Sequence, residues 1–111
     1  MEESILISIK KSLGIAEDYT AFDADIIMHT NSVFMILNQL GVGPETYFRI
    51  EDDLTTWNEF ITAEKQLDAV KSYMYLKVKM LFDPPLSAAV IEANNKLISE
   101  LEWRLNVKAE T

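Results

Sequence analysis

The strongest pattern in the sequence is a run of regularly spaced apolar residues between Thr56 and Phe82. Apolar positions recur every seven residues with others between them, as on one face of an α-helix: Phe60, Leu67, Met74 and Leu81, with Ala63, Val70 and Val78. Thr56 and Glu59 form a capping-box pattern that predicts where the helix begins. Pro84 and Pro85 lack amide donors and predict its end at Phe82 or Asp83, while a break near residues 62–64 stays open.

Two shorter segments before this run show the same spacing. The first extends from Glu2 to Leu13, and Gly14 is suited to close it. The second begins at Thr20, where Thr20 and Asp23 again fit a capping box, and stops at Gly41. Both segments are therefore predicted as helices.

A fourth helical segment follows the two prolines. Ser87 offers a hydroxyl cap, and the apolar stripe continues to Leu105, after which residues 106–111 are expected to fray. Only three glycines and three prolines occur in 111 residues, too few for the turns of a β-sandwich. We therefore predict an all-α fold, a compact bundle of about four helices with one longer irregular loop (residues 42–55) that includes a brief extended piece at Tyr47–Ile50, in a single domain covering 1–111.

Charge and composition exclude several classes of protein. The formal net charge is −8, and the segment 1–64 carries 12 acids against three bases. Such a surface repels phosphate backbones, so sequence-specific nucleic-acid binding is not expected. Without cysteine there is no disulfide or thiolate site. The acidic start and the short apolar runs predict neither a leader nor a membrane span.

Residues that could carry chemistry are isolated. His29 is the only histidine and lies among apolar neighbours of the second helix, which favours a structural role. Glu51, Asp52 and Asp53 are consecutive and lack the spacing of a calcium loop, which favours a solvated loop. No catalytic motif occurs, so we predict no enzyme activity and no catalytic, cofactor or metal site.

Several aromatic residues do not fit the helical stripes. Trp103 lies between Leu101 and Leu105 and points off their stripe, and Tyr73 and Tyr75 cannot both face inward from one helix. These side chains are either half-buried at the edge of the core or part of a subunit interface, where aromatic residues and arginine are enriched.

The C-terminal half resembles a known family. The segment Tyr73–Pro85, ending in Asp83-Pro84-Pro85, and the later Glu-Trp-Arg-Leu-Asn at 102–106 are similar to the small head-to-tail connector (head completion or adaptor) proteins of tailed bacteriophages and prophages. The opening Ile9–Ile15 is also similar to that family.

The resemblance implies a virion protein that is made in the bacterial host cytoplasm and assembles into a ring, usually twelvefold, beneath the portal. The ring would bind the portal protein and a downstream neck or tail protein, and DNA would pass through it without sequence-specific binding. Asp83, Pro84 and Pro85 mark the family and would set the angle between the last two helices. Heterologous contacts in such a ring would explain the aromatic residues outside the stripes. The candidate interface residues are Tyr47, Phe48, Tyr73, Tyr75, Trp103 and Arg104.

A second hypothesis from another class remains open at this point. A small helical regulatory or protein-interaction module, acting as a monomer or dimer, would have the same composition and helix pattern. Ring formation and binding to the portal distinguish the two hypotheses.

Overall fold

The computed structural model describes the backbone of residues 3–110 and the side chains of residues 3–63 and 66–108. Five helices form in this part of the chain, and no strand ladder does, which confirms the all-α class. The helices are α1 (Ile5–Ser12), α2 (Asp23–Gln39), α3 (Trp57–Phe60), α4 (Glu64–Phe82) and α5 (Ala88–Glu110).

The ends of the first two helices agree only in part with those predicted from the sequence. Ser4 caps α1, with its hydroxyl accepting from the amide of Ile7, and Gly14 and Gly41 take the positive φ angles that close α1 and α2. The capping box predicted at Thr20 is wrong. The helix α2 begins at Asp23 without a side-chain cap, because the Asp23 carboxylate lies 2.9 Å from the Lys10 ammonium instead.

The long periodic segment is two helices rather than one. The capping box of Thr56 and Glu59 forms as predicted, but its helix, α3, has only four residues, and the chain is extended at Ile61 before α4 begins. This confirms the break that the sequence left open. Within α4, Val70, Tyr73, Met74 and Val78 face the core, whereas Leu81, the last position of the predicted repeat, is 47% exposed.

Helices α4 and α5 form an antiparallel hairpin around the double-proline turn. The Tyr73 hydroxyl reaches Glu102 and the Asn94 side chain reaches Met80, so residues earlier in α4 meet residues later in α5. The expectation that the chain frays after Leu105 is wrong for residues 106–110, which continue α5. Asn106 donates from its side chain to the carbonyl of Leu40 at 3.2 Å, tying α5 to the end of α2.

The loop between α2 and α3 is anchored in the core at its two ends. Val42 and Ile50 are buried, and an isolated antiparallel bridge joins Ser4 to Thr56 just before α3. No strand is assigned at 47–50, and this piece pairs with no described segment, as expected for one too short to form a sheet. No described helix is long and apolar enough to cross a membrane.

Candidate interaction surfaces

The six residues predicted to form an interface do not share one surface. Tyr73 is completely buried between α4 and α5, where its hydroxyl donates to the Glu102 carboxylate at 2.7 Å. Burial first, and then this hydrogen bond, raise the pKa of the Tyr73 hydroxyl well above its ordinary value. Tyr73 therefore presents no surface to a partner in this structure, and its role is to join the two helices of the hairpin.

Phe48 also contributes mainly to the core. Its ring packs against Phe34 and Phe60, with centroid distances of 5.0 and 5.1 Å and near-perpendicular planes, a favourable arrangement for aromatic pairs. Its neighbour Tyr47 is 67% exposed. Both line a shallow groove of about 480 Å³ against the outer face of α2, where Met28 and Met35 are also exposed.

The other three candidates lie on the hairpin. Tyr75 packs edge-on against Trp57 at 6.3 Å and lines a groove of about 600 Å³ between α4 and α5. Trp103 is 66% exposed on α5, as its position off the stripe predicted. Arg104 is also exposed and forms a salt bridge of 2.6 Å with Glu100 one turn before it.

Helix α5 carries a second apolar face that no described element covers. Ile98 and Leu105 are buried in the core, and at helical spacing the exposed Val90 and Leu97 lie at one edge of this stripe. Trp103 and Val107, one turn apart on the opposite side of the helix, form the exposed apolar face of α5. Leu97 borders the groove between α4 and α5, where Leu76 and Leu101 add apolar surface. A helix with apolar residues beyond its buried stripe is typical of a protein that packs against a partner.

The turn that marks the resemblance joins the two long helices. Asp83 ends α4, its amide donating to the Lys79 carbonyl, and its carboxylate lies 3.0 Å from the Lys79 ammonium. Pro84 and Pro85 follow, and Ser87 then caps α5 by accepting from the amide of Val90 at 3.4 Å. The cap predicted at Ser87 is therefore present. Leu86, which lies between Pro85 and Ser87, is fully exposed.

Sequence reasoning missed the buried ion pair at the other end of the molecule. Lys10 lies in the last turn of α1, where a lysine is ordinarily exposed, but its side chain is 2% exposed. Its ammonium contacts the Asp23 carboxylate at 2.9 Å and donates to the Glu17 carbonyl at 3.0 Å. The pair fixes the α1–α2 connection. The apolar neighbours of Lys10 in the sequence, Ile9 and Leu13, were the available signal.

The charges of the two halves are arranged differently. In the described part of the chain, the bases Lys79, Lys96 and Arg104 each pair with an acid four residues away. The exposed acids of residues 51–53 form no ion pair with any described residue. The acidity of the first half is therefore presented to solvent around this loop.

The described residues hold no cluster of side chains of the kind that binds a metal ion. They contain no group of three or more histidine, aspartate or glutamate residues that could hold a metal ion. His29 is half-buried on α2. The surfaces that stand out are apolar grooves and exposed aromatic side chains, which suit protein contacts.

The chain matches a known protein family. A family model described as phage connector protein matches residues 5–111, which is nearly the whole chain. No curated protein and no solved structure matches significantly.

Proposed function

Because the chain belongs to the phage connector protein family, we propose that it assembles into a ring beneath the portal and joins the capsid to the tail. Proteins of this family are structural parts of phage particles rather than enzymes. The match covers the hairpin of α4 and α5 and the three helices before it. The finer parts of the proposal are the ring, its twelvefold symmetry and its contacts with the portal protein and a neck or tail protein.

The observation that carries the ring is the exposed apolar face of α5. Trp103 is 66% exposed although tryptophan is among the residues that contribute most to binding energy when buried in an interface. The groove between α4 and α5 offers an apolar surface, lined by Leu76 and Leu97, on the same hairpin. In a heterologous contact the α5 face of one subunit packs against the hairpin of the next, and repetition of that contact closes a ring.

Removal of the Trp103 side chain tests this contact. We expect Trp103→Ala to prevent neighbouring subunits from assembling into a ring on portal rings of the same phage, so that the amount that co-sediments falls at least about tenfold, as for an interface hot spot. The control is Leu54→Ala, which removes a 76% exposed apolar side chain from the loop before α3. Equal binding by both variants would show that the α5 face is not the contact, provided that circular dichroism shows both to be folded.

The loop that carries the exposed acids of residues 51–53, called the acidic loop below, suits a channel through which DNA passes. A twelvefold ring would carry a formal charge of −96, twelve times the −8 of one chain, with most acids in the first half of each subunit. Acids at the channel wall repel the phosphates and let the polymer slide without binding. Measurable DNA binding by the assembled ring at physiological salt would contradict this part of the proposal.

A further inference from the structure

Three aromatic side chains, called the aromatic patch below, meet where the α1–α2 connection contacts the end of α4. The ring centroids of Tyr19 and Phe22 lie 5.7 Å apart, and those of Phe22 and Phe82 lie 5.4 Å apart. Tyr19 is 51% and Phe22 41% exposed, and Phe82 is half-buried. Leu86, in the turn after Phe82, adds a fully exposed apolar side chain to this end of the hairpin. Contiguous exposed apolar side chains of this kind are typical of interaction sites.

Acidic residues flank all three aromatic residues of the patch. Asp18, Asp23 and Asp83 are their direct neighbours in the chain. The Asp23 carboxylate is compensated by the buried Lys10 ammonium at 2.9 Å, and the Asp83 carboxylate by the Lys79 ammonium at 3.0 Å. Both bases are therefore already paired.

Three acids around the patch remain uncompensated. Glu17, Asp18 and Asp25 are exposed and form no ion pair with any residue that the structure describes. Asp25 follows Phe22 by three residues, which places the two side chains on one face at the start of α2. The segments 16–25 and 79–86 carry five acids and one base, and Lys10 adds a second base. This part of the molecule therefore has an excess of three negative charges.

A cationic side chain complements an aromatic ring bordered by free carboxylates. The face of an aromatic ring attracts a cation. An arginine guanidinium is planar, so it stacks on a ring and donates to a neighbouring carboxylate at the same time. The excess of negative charge repels nucleic acids and anionic lipid surfaces. The chemistry therefore favours a protein segment in which arginine stands beside apolar residues.

The chain itself does not offer such a segment. Its two arginines are Arg49 and Arg104. Arg104 is already paired with Glu100 at 2.6 Å. Arg49 lies between Glu45 and the acids of residues 51–53, which the acids around the aromatic patch would repel. The complementary arginine therefore comes from a different protein.

We propose that the aromatic patch docks a segment of a partner protein in which an arginine is flanked by apolar residues. The guanidinium of the partner stacks on the Tyr19 ring and donates to the Asp18 carboxylate. The apolar residues beside it contact Phe82 and Leu86, which the turn leaves open to solvent.

This contact is separate from the ring. Trp103 lies about 22 Å along α5 from Ala88, so the α5 face and the aromatic patch are at opposite ends of the hairpin. The docking is tested on the isolated protein without a portal. Its failure therefore leaves the ring proposal untouched, and the reverse also holds.

Two model peptides test the chemistry of the partner. The first is an acetylated and amidated Gly-Leu-Arg-Leu-Gly, and the second carries citrulline, a neutral side chain of nearly the same shape, in place of arginine. Titration into the isotope-labelled protein should shift the NMR signals of Asp18, Tyr19 and Phe22, with a Kd of about 1 mM for the arginine peptide and a Kd at least about fivefold higher for the citrulline peptide. Equal binding of the two peptides, or no shift at the patch, would overturn the proposal.

Substitutions in the protein test the position of the site. We expect Asp18→Asn and Tyr19→Ala each to weaken binding of the arginine peptide about fivefold. The matched controls are Asp68→Asn, at an exposed acid about 21 Å along α4 from Phe82, and Leu54→Ala, at an exposed apolar residue of the loop before α3. Both controls should bind as the natural protein does. An equal loss in the controls, with all variants folded by circular dichroism, would contradict the assignment.

Two other results would identify a different occupant of the patch. Shifts of the same NMR signals with protein concentration, without peptide, would show that a second copy of the chain covers the patch. Binding of the protein to phosphatidylglycerol vesicles, lost in Tyr19→Ala, would show that a membrane does. Either result would overturn the proposal of an arginine-bearing partner.

Discussion

The side chain of Asn31 makes with Ile50 the two hydrogen bonds that a neighbouring strand would make. The amide nitrogen donates to the Ile50 carbonyl and the amide oxygen accepts from the Ile50 amide, at 3.0 and 2.8 Å. Ile50 is completely buried, so its backbone groups need these partners. One residue of α2 thereby holds the irregular loop against the helices.

Loss of the two hydrogen bonds between Asn31 and Ile50 should destabilise the protein more than loss of similar hydrogen bonds at the surface. We expect Asn31→Ala to lower the free energy of unfolding by about 2 kcal/mol, because the buried amide and carbonyl of Ile50 lose their partners. The control is Asn38→Ala, whose partners are the carbonyls of Pro44 and Glu45. Because Glu45 is exposed and Pro44 only half-buried, water can replace the side chain, and we expect a loss of less than about 1 kcal/mol. Equal urea midpoints for the two variants would contradict this role.

The buried ion pair of Lys10 and Asp23 should be costly to break from one side. Lys10→Met leaves the Asp23 carboxylate, 27% exposed, without its cation, and we expect a loss of about 2–3 kcal/mol in denaturant unfolding. The double variant Lys10→Met/Asp23→Asn should recover part of this loss because no uncompensated charge remains. Lys11→Met, at the exposed neighbouring position, should change stability by less than about 0.5 kcal/mol. A double variant as unstable as the single one would contradict the electrostatic explanation.

The Asn31–Ile50 and Lys10–Asp23 contacts are features that local sequence patterns do not predict. Gly14 and the Thr56–Glu59 box were predicted correctly, because each acts over three or four residues of chain. Thr20 and Asp23 match the same box, but Asp23 pairs with Lys10 instead. A local pattern does not reveal a competing partner 13 residues away.

The sequence also indicated the exposure of the candidate interface residues only in part. Trp103 lies outside its stripe, and the structure exposes it. Tyr73 is buried because it lies three residues after Val70 and next to Met74 on the inward side of α4, whereas the sequence alone did not decide which of Tyr73 and Tyr75 faces inward. The family resemblance, carried by Asp83 and the double proline, was the stronger guide to function.

The glycine at position 43 is required by two independent constraints. Its φ angle is +88°, and an added Cβ would clash with the Phe60 ring, which is buried between other aromatic rings. We expect Gly43→Ala to cost about 2–3 kcal/mol from backbone strain and overpacking together. Gly14→Ala is the control, since Gly14 has a similar φ angle, +78°, but open space at the Cβ position, and should cost about 1–2 kcal/mol. Thermal unfolding that ranks them in the opposite order would contradict the steric contribution.

The hydroxyl of Tyr73 should make stability depend on alkaline pH. The pKa of this group is raised in the folded state, so its contribution is fully present below the unfolded pKa of about 10 and decreases as pH rises above it. Tyr73→Phe should cost about 1 kcal/mol at pH 7, because the Glu102 carboxylate loses its donor. The difference from the natural protein should stay constant up to pH 9 and shrink above pH 10. Tyr19→Phe, at an exposed tyrosine, should show no such change, and a Tyr73→Phe difference that grows above pH 10 would refute the assignment.

Electron cryo-microscopy of the protein mixed with portal rings of the same phage tests the proposed function most directly. We expect an added ring on the tail-facing side of the portal, twelvefold like the portal, with the α5 faces between adjacent subunits and the acidic loops toward the central channel. Portal particles without added density, with the connector protein remaining monomeric at saturating concentration, would contradict the account.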